Sequence, residues 1–502
     1  MICVSIARTR HKMMIAEYRA ATEQGAELAE LRLDYLRRDA DFKRLLEKRG
    51  CPVIIALRRP ADGGRFAGTE DKRLLILRFA IAAGVEYVDL ETDTAKKIPR
   101  FGNTKRIVSY HNFEATPQNL NAIHSEMLDL DADIVKIVTK AERPSDNVRM
   151  LQLVRKSPVP MVGFCMGDMG LPSRILCGQF GAPFTYAAFN KERVLAPGQL
   201  SFEELRDIYH YDAINLDTEV FGVIGDPLGH SLSPQIHNAA FQATKMNCVY
   251  VPFRVPLENF KTFLGDMAPL GIRGLSVTIP HKEAAVEMVQ QADGAVRVVG
   301  SLNTIVRRDQ GWEGHNTDYR AAMASLEARL GAQAGDNAPL SGKQVLVLGA
   351  GGVARAIVFG LMRRGAIVTV ANRNKDRGGN LARDASCRFI EWPRRLATLS
   401  DILINCTPIG MHPEVDETPM PPGYLREGMV VFDTIYNPEN TLLLKEARAR
   451  GCSTISGIDM FVRQAVLQFQ VFTEQEAPEE LMADVVNRAL SPVKSLPATE
   501  GD

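Results

Sequence analysis

The chain has 502 residues, which is too many for one hydrophobic core, because single cores stop growing at roughly 250 to 300 residues. Its 60 basic side chains balance 60 acidic ones, and hydrophobic residues make up 45% of the sequence. This composition is typical of an ordinary globular protein with two or three domains. It gives no indication of a nucleic-acid or anionic-membrane partner.

Eight cysteines are scattered along the chain, and no two of them have the spacing of metal ligands. Most lie in apolar, strand-like runs, so we expect reduced, buried side chains and no metal site. Residues 2–7 already resemble a strand, which leaves no room for a signal peptide. No apolar run reaches the roughly 18 residues of a membrane span. The expected location is the cytoplasm.

Short apolar, β-branched segments alternate with amphipathic stretches through the first 190 or so residues. These segments are residues 2–7, 28–33, 53–57, 86–90, 106–110, 133–138, 160–165 and 184–189. Eight strands alternating with helices predict an α/β fold of the (β/α)8 barrel type. Catalytic side chains of such barrels lie at the carboxyl ends of the strands.

Several polar residues stand near those strand ends, namely Glu30, Arg32, Arg58, His111 and Lys136. The period of two along a strand places Lys136 inside the barrel with Ile134 and Val138. Burial disfavours the ammonium form, and a neutral amine can attack a ketone, so Lys136 is a candidate for a Schiff base. Alternatively, Lys136 extends from a strand end into solvent, and His111 is a core histidine bonded to backbone.

Six motifs in residues 1 to about 212 together resemble type I 3-dehydroquinate dehydratase. In chain order they are Glu30-Leu31-Arg32-Leu33-Asp34, Arg58 with Asp62-Gly63-Gly64, Ser109-Tyr110-His111-Asn112, Ala132-Asp133-Ile134-Val135-Lys136-Ile137, Ser173-Arg174 and Ala196-Pro197-Gly198-Gln199. The resemblance implies an imine on Lys136, with His111 as general base and then general acid, and Arg174 on the substrate carboxylate. The further residues implied to bind substrate or order the site are Glu30, Arg32, Arg58, Asp62 and Gln199.

Two positions depart from the pattern of that family. Asp62 stands where most members carry Glu, and Leu195 stands where they carry Ser. We expect these departures to lower the efficiency of dehydration while leaving the essential chemistry in place.

A second pattern begins at residue 344, where an apolar strand runs into a glycine-rich turn and then a helical pattern. The turn is Gly349-Ala350-Gly351-Gly352-Val353-Ala354. Strand, glycine turn and helix are the context required for dinucleotide binding, because the helix N-terminus offers amide donors to the pyrophosphate. After the next strand, Asn372 and Arg373 replace the acid usual for NAD, which favours NADP. A solvated basic turn is the alternative.

Further polar motifs surround this fold and together resemble shikimate dehydrogenase over residues 219 to 488. They include residues 225–234, 277–282, 300–304, 314–318, 405–411, 433–436 and 457–465. The resemblance implies Lys282 and Asp318 as the catalytic pair. The implied substrate contacts are Ser231, Ser233, Thr278, Asn303, Tyr436, Gln464 and Gln468, and Thr407 and Gly457 join the cofactor contacts. Taken singly, the serines could be caps, Lys282 a surface charge and Asp318 an N-cap.

The order of the two halves resembles the bifunctional dehydratase and dehydrogenase of the shikimate pathway. We expect a barrel over residues 1–213, a substrate domain over 219–320 completed by 459–490, a Rossmann NADP domain over 321–458 and a disordered tail at 491–502. The expected partners are small molecules, 3-dehydroquinate and 3-dehydroshikimate. Two alternatives remain: a quinate dehydrogenase, and an inactive sensor of pathway intermediates.

Overall fold

The computed structural model describes residues 1–47, 49–229, 231–331 and 338–490. The predicted disordered tail lies outside these ranges. The chain forms two compact units: Met1–Gly222 with Met246–Ile272, and Val223–Lys245 with the chain from Arg273 onward. Within the described ranges, no helix combines the length and apolar character that crossing a membrane requires.

The first sheet has eight parallel strands, as the sequence pattern predicted. They are β1 Ile2–Ile6, β2 Leu28–Arg32, β3 Val53–Ala56, β4 Tyr87–Glu91, β5 Lys105–Asn112, β6 Ile134–Lys140, β7 Met161–Met166 and β8 Thr185–Ala188. Neighbouring strands follow the order β7-β6-β5-β4-β3-β2-β1-β8, so sequential strands pair and β8 returns to β1. This is the nearly closed (β/α)8 barrel that we expected.

The barrel interior is apolar at one level and polar at the next. Every second residue of a strand points inward, and the interior cluster contains Ile107, Ile134 and Val138 but not Val135 or Ile137. The predicted inward direction of Lys136 is therefore confirmed. The helices of this region are α1 His11–Glu23, α2 Phe42–Leu46, α3 Glu70–Ala82, α4 Thr92–Ala95, α5 Leu120–Leu128, α6 Ser145–Lys156 and α7 Leu171–Leu176.

A second, mixed sheet follows the barrel. Its strands are β9 Glu219–Gly225, β10 Cys248–Arg254, β11 Ile272–Val277, β12 Gln291–Ala292, β13 Thr304–Arg308 and β14 Gly311–His315, in the order β10-β9-β11-β13-β14-β12. The helices of this stretch are α8 Ser233–Ala243, α9 Phe260–Asp266, α10 Gly294–Val299 and α11 Thr317–Arg329.

The third sheet is parallel and has the strand order of a dinucleotide-binding fold. Its strands are β15 Gln344–Leu348, β16 Ile367–Asn372, β17 Arg388–Glu391, β18 Ile402–Asn405, β19 Val430–Asp433 and β20 Ser453–Ile455. The order β17-β16-β15-β18-β19-β20 corresponds to 3-2-1-4-5-6 and puts a switch point between β15 and β18. The helices of this part of the chain are α12 Gly352–Arg363, α13 Lys375–Asp384, α14 Leu442–Ala449, α15 Gly457–Thr473 and α16 Glu479–Leu490. The predicted Rossmann fold is confirmed.

All eight cysteines are free thiols, in agreement with the prediction that they are reduced. The prediction that they are buried is only half right. Four are buried, and the other four, Cys51, Cys248, Cys387 and Cys406, are partly exposed.

Candidate active sites

Lys136 is buried inside the barrel between two carboxylates. Its side chain is 3% exposed, and Nζ donates to Asp89 Oδ2 at 3.0 Å and to Glu30 Oε1 at 3.3 Å. Nζ also lies 3.8 Å from the ring centroid of Tyr186. The alternative in which Lys136 extends into solvent is therefore wrong. The desolvation argument made from the sequence is also incomplete, because it did not include the two carboxylates beside the lysine nitrogen.

His111 lies at the end of β5 and contacts a buried arginine. Arg58 Nη1 is 2.6 Å from His111 Nε2, while Arg58 Nη2 donates to Asp89 Oδ2 at 2.8 Å. Burial, followed by the positive charges of Arg58 and Lys136, holds the pKa of His111 well below its ordinary value. The imidazole is therefore neutral, which is the form that can accept a proton. His111 bonds to a side chain, so the backbone-bonded alternative does not describe it.

Glu30 and Asp89 carry the negative charge of this site. Burial alone would raise the pKa of each carboxyl, but the charges of Lys136 and Arg58 outweigh burial and lower both pKa values. Sequence reasoning missed Asp89. The signal was present, since a charged residue interrupts the apolar strand 86–90 in the way Lys136 interrupts its own strand.

Arg174 presents a buried guanidinium to the barrel interior. The side chain is 2% exposed, its central carbon lies 4.3 Å from the ring centroid of Phe164, and Nε has no hydrogen-bond partner. Burial lowers the pKa of Arg174 to about 10, so the group remains a cation at neutral pH. A buried cation with an unused donor suits a carboxylate ligand.

Arg32 and Asp62 each form an ion pair with a nearby side chain. Arg32 forms a two-pronged ion pair with Asp34, with both distances 2.9 Å, so its guanidinium is already held in place. The Asp62 carboxylate accepts from Arg59 Nε at 2.6 Å. The role of either residue in binding substrate or ordering the site stays a prediction.

Gln199 orders the loop that contains the unusual Leu195. Gln199 Oε1 accepts from the backbone N–H of Leu195 at 2.9 Å, so the amide group closes the loop on itself. The NH2 group of Gln199 can still donate to a ligand.

In the second half, Lys282 and Asp318 form a close pair. Lys282 Nζ lies 2.6 Å from Asp318 Oδ2, and the two side chains are 13% and 8% exposed. Asp318 is the second residue of α11, whose N-cap is Asn316. The alternatives of a surface lysine and an N-cap aspartate are therefore wrong.

Two predicted substrate residues lie beside this pair and contact each other. Asn303 Nδ2 donates to Thr317 Oγ1 at 2.8 Å and to Gln464 Oε1 at 3.4 Å. Gln468, by contrast, uses its amide inside the protein, because Nε2 donates to Asn303 O at 3.0 Å and Oε1 accepts from Ser276 Oγ at 2.8 Å. Gln468 thus holds the strand that bears Asn303.

The remaining predicted substrate residues have local contacts. Ser231 Oγ accepts from Ser233 N at 3.4 Å, Thr278 N donates to Ile224 O at 2.9 Å, and the Tyr436 ring stacks on Phe461 with centroids 4.3 Å apart. Contacts of Ser231, Ser233, Thr278 and Tyr436 with substrate stay predictions.

The glycine-rich turn lies at the switch point of the third sheet. Gly349 has φ +108°, and a Cβ there would lie 2.9 Å from Cys406 O, so only glycine fits. Gly351 is the N-cap of α12, which begins at Gly352. A Cβ on Gly352 would lie 3.1 Å from Lys282 Cδ, which places the turn against Lys282.

These features fit an NADP-binding site. The amides of Gly351, Gly352 and the residues that follow point from a helix N-terminus, and Arg373 is exposed directly after β16. Thr407 Oγ1 donates to Asn405 Oδ1 at 2.7 Å at the end of β18, and Gly457 begins α15. The described residues hold no cluster of three or more side chains suited to a metal ion.

Family models match both halves of the chain. The model described as type I 3-dehydroquinase matches residues 2–216. Models of the shikimate dehydrogenase substrate binding domain, of shikimate / quinate 5-dehydrogenase and of the shikimate 5'-dehydrogenase C-terminal domain match residues 223–305, 332–419 and 457–486.

Individual relatives agree with this assignment. A chloroplastic bifunctional 3-dehydroquinate dehydratase/shikimate dehydrogenase of Arabidopsis thaliana is 36% identical over 97% of this chain and 84% of its own length. A shikimate dehydrogenase (NADP(+)) of Methanothermobacter thermautotrophicus is 39% identical over 55% of this chain and 98% of its own length. A crystal structure of a shikimate dehydrogenase in complex with NADP+ superposes with a TM-score of 0.51 at 36% identity, over 55% of this chain and 98% of that one. The chain therefore belongs to the family of bifunctional 3-dehydroquinate dehydratase/shikimate dehydrogenases.

Proposed function

We propose that the chain dehydrates 3-dehydroquinate to 3-dehydroshikimate on Lys136 and then reduces that product to shikimate with NADPH. The observation that supports the first step best is the buried Lys136, paired with two carboxylates and close to a neutral histidine. The corresponding observation for the second step is the Lys282–Asp318 pair beside a dinucleotide turn.

In the barrel, the Lys136 nitrogen gives up a proton, attacks the C3 ketone as the neutral amine, and the carbonyl oxygen leaves as water. The resulting imine withdraws electrons from C2, so His111 can remove the C2 proton and return a proton to the C1 hydroxyl as it departs. A water molecule then hydrolyses the product imine, which releases 3-dehydroshikimate and frees Lys136. Arg174 is proposed to hold the substrate carboxylate, because its guanidinium is buried and has an unused donor. Glu30, Arg32, Arg58, Asp62 and Gln199 are proposed to bind hydroxyls or to order the site.

In the dehydrogenase half, bound NADPH supplies the hydride. Lys282 stabilises and protonates the alkoxide that forms on the substrate, while Asp318 keeps the lysine in place and shares its proton. Asn303 and Gln464 are proposed to bind substrate hydroxyls, since Asn303 contacts Thr317, the neighbour of Asp318, and Gln464 contacts Asn303. Gln468 is proposed to hold Asn303 in place rather than to touch substrate. The further proposed contacts are Ser231, Ser233, Thr278 and Tyr436 for substrate and 349–354, Asn372, Arg373, Thr407 and Gly457 for NADP.

The proposed domain limits are residues 1–213, 219–320 with 459–490, and 321–458. We also propose a cytoplasmic location, on the basis of the eight free cysteines. Metal is not required in this scheme, because the charged side chains already supply the acids and bases of both reactions.

Borohydride tests the imine directly. Reduction of a mixture of the protein and 3-dehydroquinate should attach the ligand covalently to Lys136, because borohydride reduces the imine to a stable amine. Peptide mass spectrometry identifies the modified residue. An adduct on another lysine, or none, would contradict the proposed mechanism.

Quinate is a second candidate substrate, because one matching family model is described as shikimate / quinate 5-dehydrogenase. Ser231 and Ser233 are both present, and we expect them to favour shikimate by filling the space that the extra hydroxyl of quinate needs. Comparing kcat/KM for shikimate and quinate oxidation decides between the two. A larger value for quinate would overturn the assignment.

A further inference from the structure

Asp89 connects the two groups that perform the proposed dehydration. It is the middle residue of β4, and its side chain is 0% exposed. One oxygen, Oδ2, accepts from Lys136 Nζ at 3.0 Å and from Arg58 Nη2 at 2.8 Å. The other oxygen accepts from Ser109 Oγ at 2.5 Å. Because Arg58 also contacts His111, one carboxylate reaches the lysine directly and the histidine through the arginine.

Glu30 faces the same two cations but lies farther from both. Its Oε1 is 3.3 Å from Lys136 Nζ and 3.4 Å from Arg58 Nη2. Charge-assisted hydrogen bonds are strongest near 2.7 to 2.9 Å, so Asp89 is the closer counter-ion of the two. Both partners hold the pKa of Asp89 well below its ordinary value, so the group is ionised throughout the neutral range.

The charge on the lysine nitrogen does not change in imine formation. An ammonium and a ketone give a protonated imine and one water molecule, so one positive charge is present before and after. The nitrogen is a neutral amine only briefly, while it attacks the ketone. The protons that it gives up leave with the carbonyl oxygen as water. A carboxylate that pairs with the ammonium therefore also pairs with the protonated imine. In a buried site, a fixed negative charge beside that cation is a large stabilising interaction.

We propose that Asp89 is the counter-ion of the protonated imine on Lys136 and that, through Arg58, it positions His111. The inference depends on the proposed imine chemistry and adds to it the group that stabilises the imine. Asp89 touches the reacting nitrogen, so its loss affects imine formation as well as the later proton transfer.

Asp89→Asn tests the proposal, because the side chain keeps its shape and loses its charge. We expect the rate of borohydride trapping on Lys136 and kcat for dehydration to fall by about tenfold to a hundredfold, the range of one charge-assisted hydrogen bond. KM for 3-dehydroquinate should change less, since Arg174 and not Asp89 faces the substrate carboxylate. Unchanged trapping and unchanged kcat would overturn the proposal.

Glu91→Gln is the matched control, since Glu91 is a carboxylate on the same strand, 4% exposed, that pairs with Arg73 at 2.8 Å. It should reduce trapping by less than about threefold, as for a residue without contact to the reacting atoms. If Glu91→Gln reduces trapping as much as Asp89→Asn, the effect is a general one and the proposal fails.

Asp89→Glu covers the case in which the Asn variant does not fold. It keeps the charge one methylene away, and trapping well above that of Lys136→Ala is expected. A folded Glu variant with no trapping would contradict the counter-ion role. Trapping of the unsubstituted protein distinguishes failure of the proposed function from failure of the proposed role of Asp89. If the unsubstituted protein gives no adduct on Lys136, the proposed function is refuted. If adducts form equally with and without the Asp89 charge, only the role of Asp89 is refuted.

Discussion

Arg373 is the residue that we expect to set the preference for NADPH over NADH. It is exposed directly after β16, where a guanidinium can reach the 2′-phosphate that only NADPH carries. Charge-assisted hydrogen bonds contribute about 1.5 to 3 kcal/mol, or roughly tenfold to a hundredfold in affinity. Arg373→Ala should therefore raise KM for NADPH by that factor and leave KM for NADH nearly unchanged. Equal effects on both cofactors would show that Arg373 has another role.

Leu195 is expected to weaken substrate binding in the barrel. The loop closes through the bond between Leu195 N and Gln199, but the leucine side chain offers no hydroxyl to the substrate. A neutral hydrogen bond is worth about 0.5 to 1.5 kcal/mol, or roughly twofold to tenfold. Leu195→Ser should lower KM for 3-dehydroquinate by that factor in steady-state kinetics, with Leu195→Ala as the control that removes bulk without adding a donor. An equal gain from both variants would point to bulk and not to the hydroxyl.

Sequence reasoning located best those charged side chains that interrupt an apolar strand. Lys136 was predicted to point inward because charge inside a strand pattern needs a reason, and the structure confirms that direction. Asp89 gave the same signal and was missed, because nothing in the sequence alone shows that side chains of β4 and β6, which β5 separates, meet in the interior. The actual partners of Asp62 and Gln468 depend on which loops and helices meet, and local patterns do not encode that.

At the scale of elements, period two and glycine placement predicted the strands and the nucleotide turn. All eight barrel strands begin within one residue of the predicted starts, but β5 and β6 continue two residues further, to Asn112 and Lys140. Polar residues end the apolar pattern in the sequence, whereas in the barrel they continue the ladder, and one of them, His111, contacts Arg58 in the site. The mixed order of the second sheet could not be predicted, because the pairings β9–β11, β11–β13 and β12–β14 each skip one strand of the chain order and local patterns do not specify that.

A buried carboxyl group, that of Asp433, lies where the adjacent strands β18 and β19 end, and its ionisation makes the stability of the fold depend on pH. Asp433 is fully buried and accepts from Asn405 Nδ2, Thr441 Oγ1 and Ile435 N, all of them neutral donors. Burial raises the pKa of Asp433 from 3.8 to about 6. Since the folded state favours the protonated acid, this contribution to stability is complete below pH 3.8 and is lost as the pH rises through about 6.

Asp433→Asn should remove this pH dependence while Oδ1 keeps its two donors. Between about pH 5 and pH 7.5, the unsubstituted protein should lose about 1 kcal/mol of unfolding free energy relative to the variant. Denaturant unfolding followed by tryptophan fluorescence reports on this half alone, since both tryptophans, Trp312 and Trp392, lie in it. An identical pH dependence for both proteins would show that Asp433 does not titrate in this range.

For the whole molecule, the order of the two halves matches the order of the two reactions. The barrel makes the 3-dehydroshikimate that the dehydrogenase consumes. Because one chain contains both domains, the enzymes of these two consecutive steps are present at the same concentration. The two sites share no residue, because Lys136 and His111 belong to the first unit and Lys282 and Asp318 to the second. Each activity should therefore survive the loss of the other.

The most direct test supplies only 3-dehydroquinate and NADPH to the purified chain and follows the absorbance of the enone product and of NADPH together. We expect NADPH to be consumed after a short lag, during which 3-dehydroshikimate builds up. Lys136→Ala should abolish NADPH consumption from 3-dehydroquinate yet leave consumption from added 3-dehydroshikimate almost unchanged. NADPH consumption from 3-dehydroquinate by the Lys136→Ala chain at the original rate, or none by the unsubstituted chain, would contradict the assignment of both reactions to this protein.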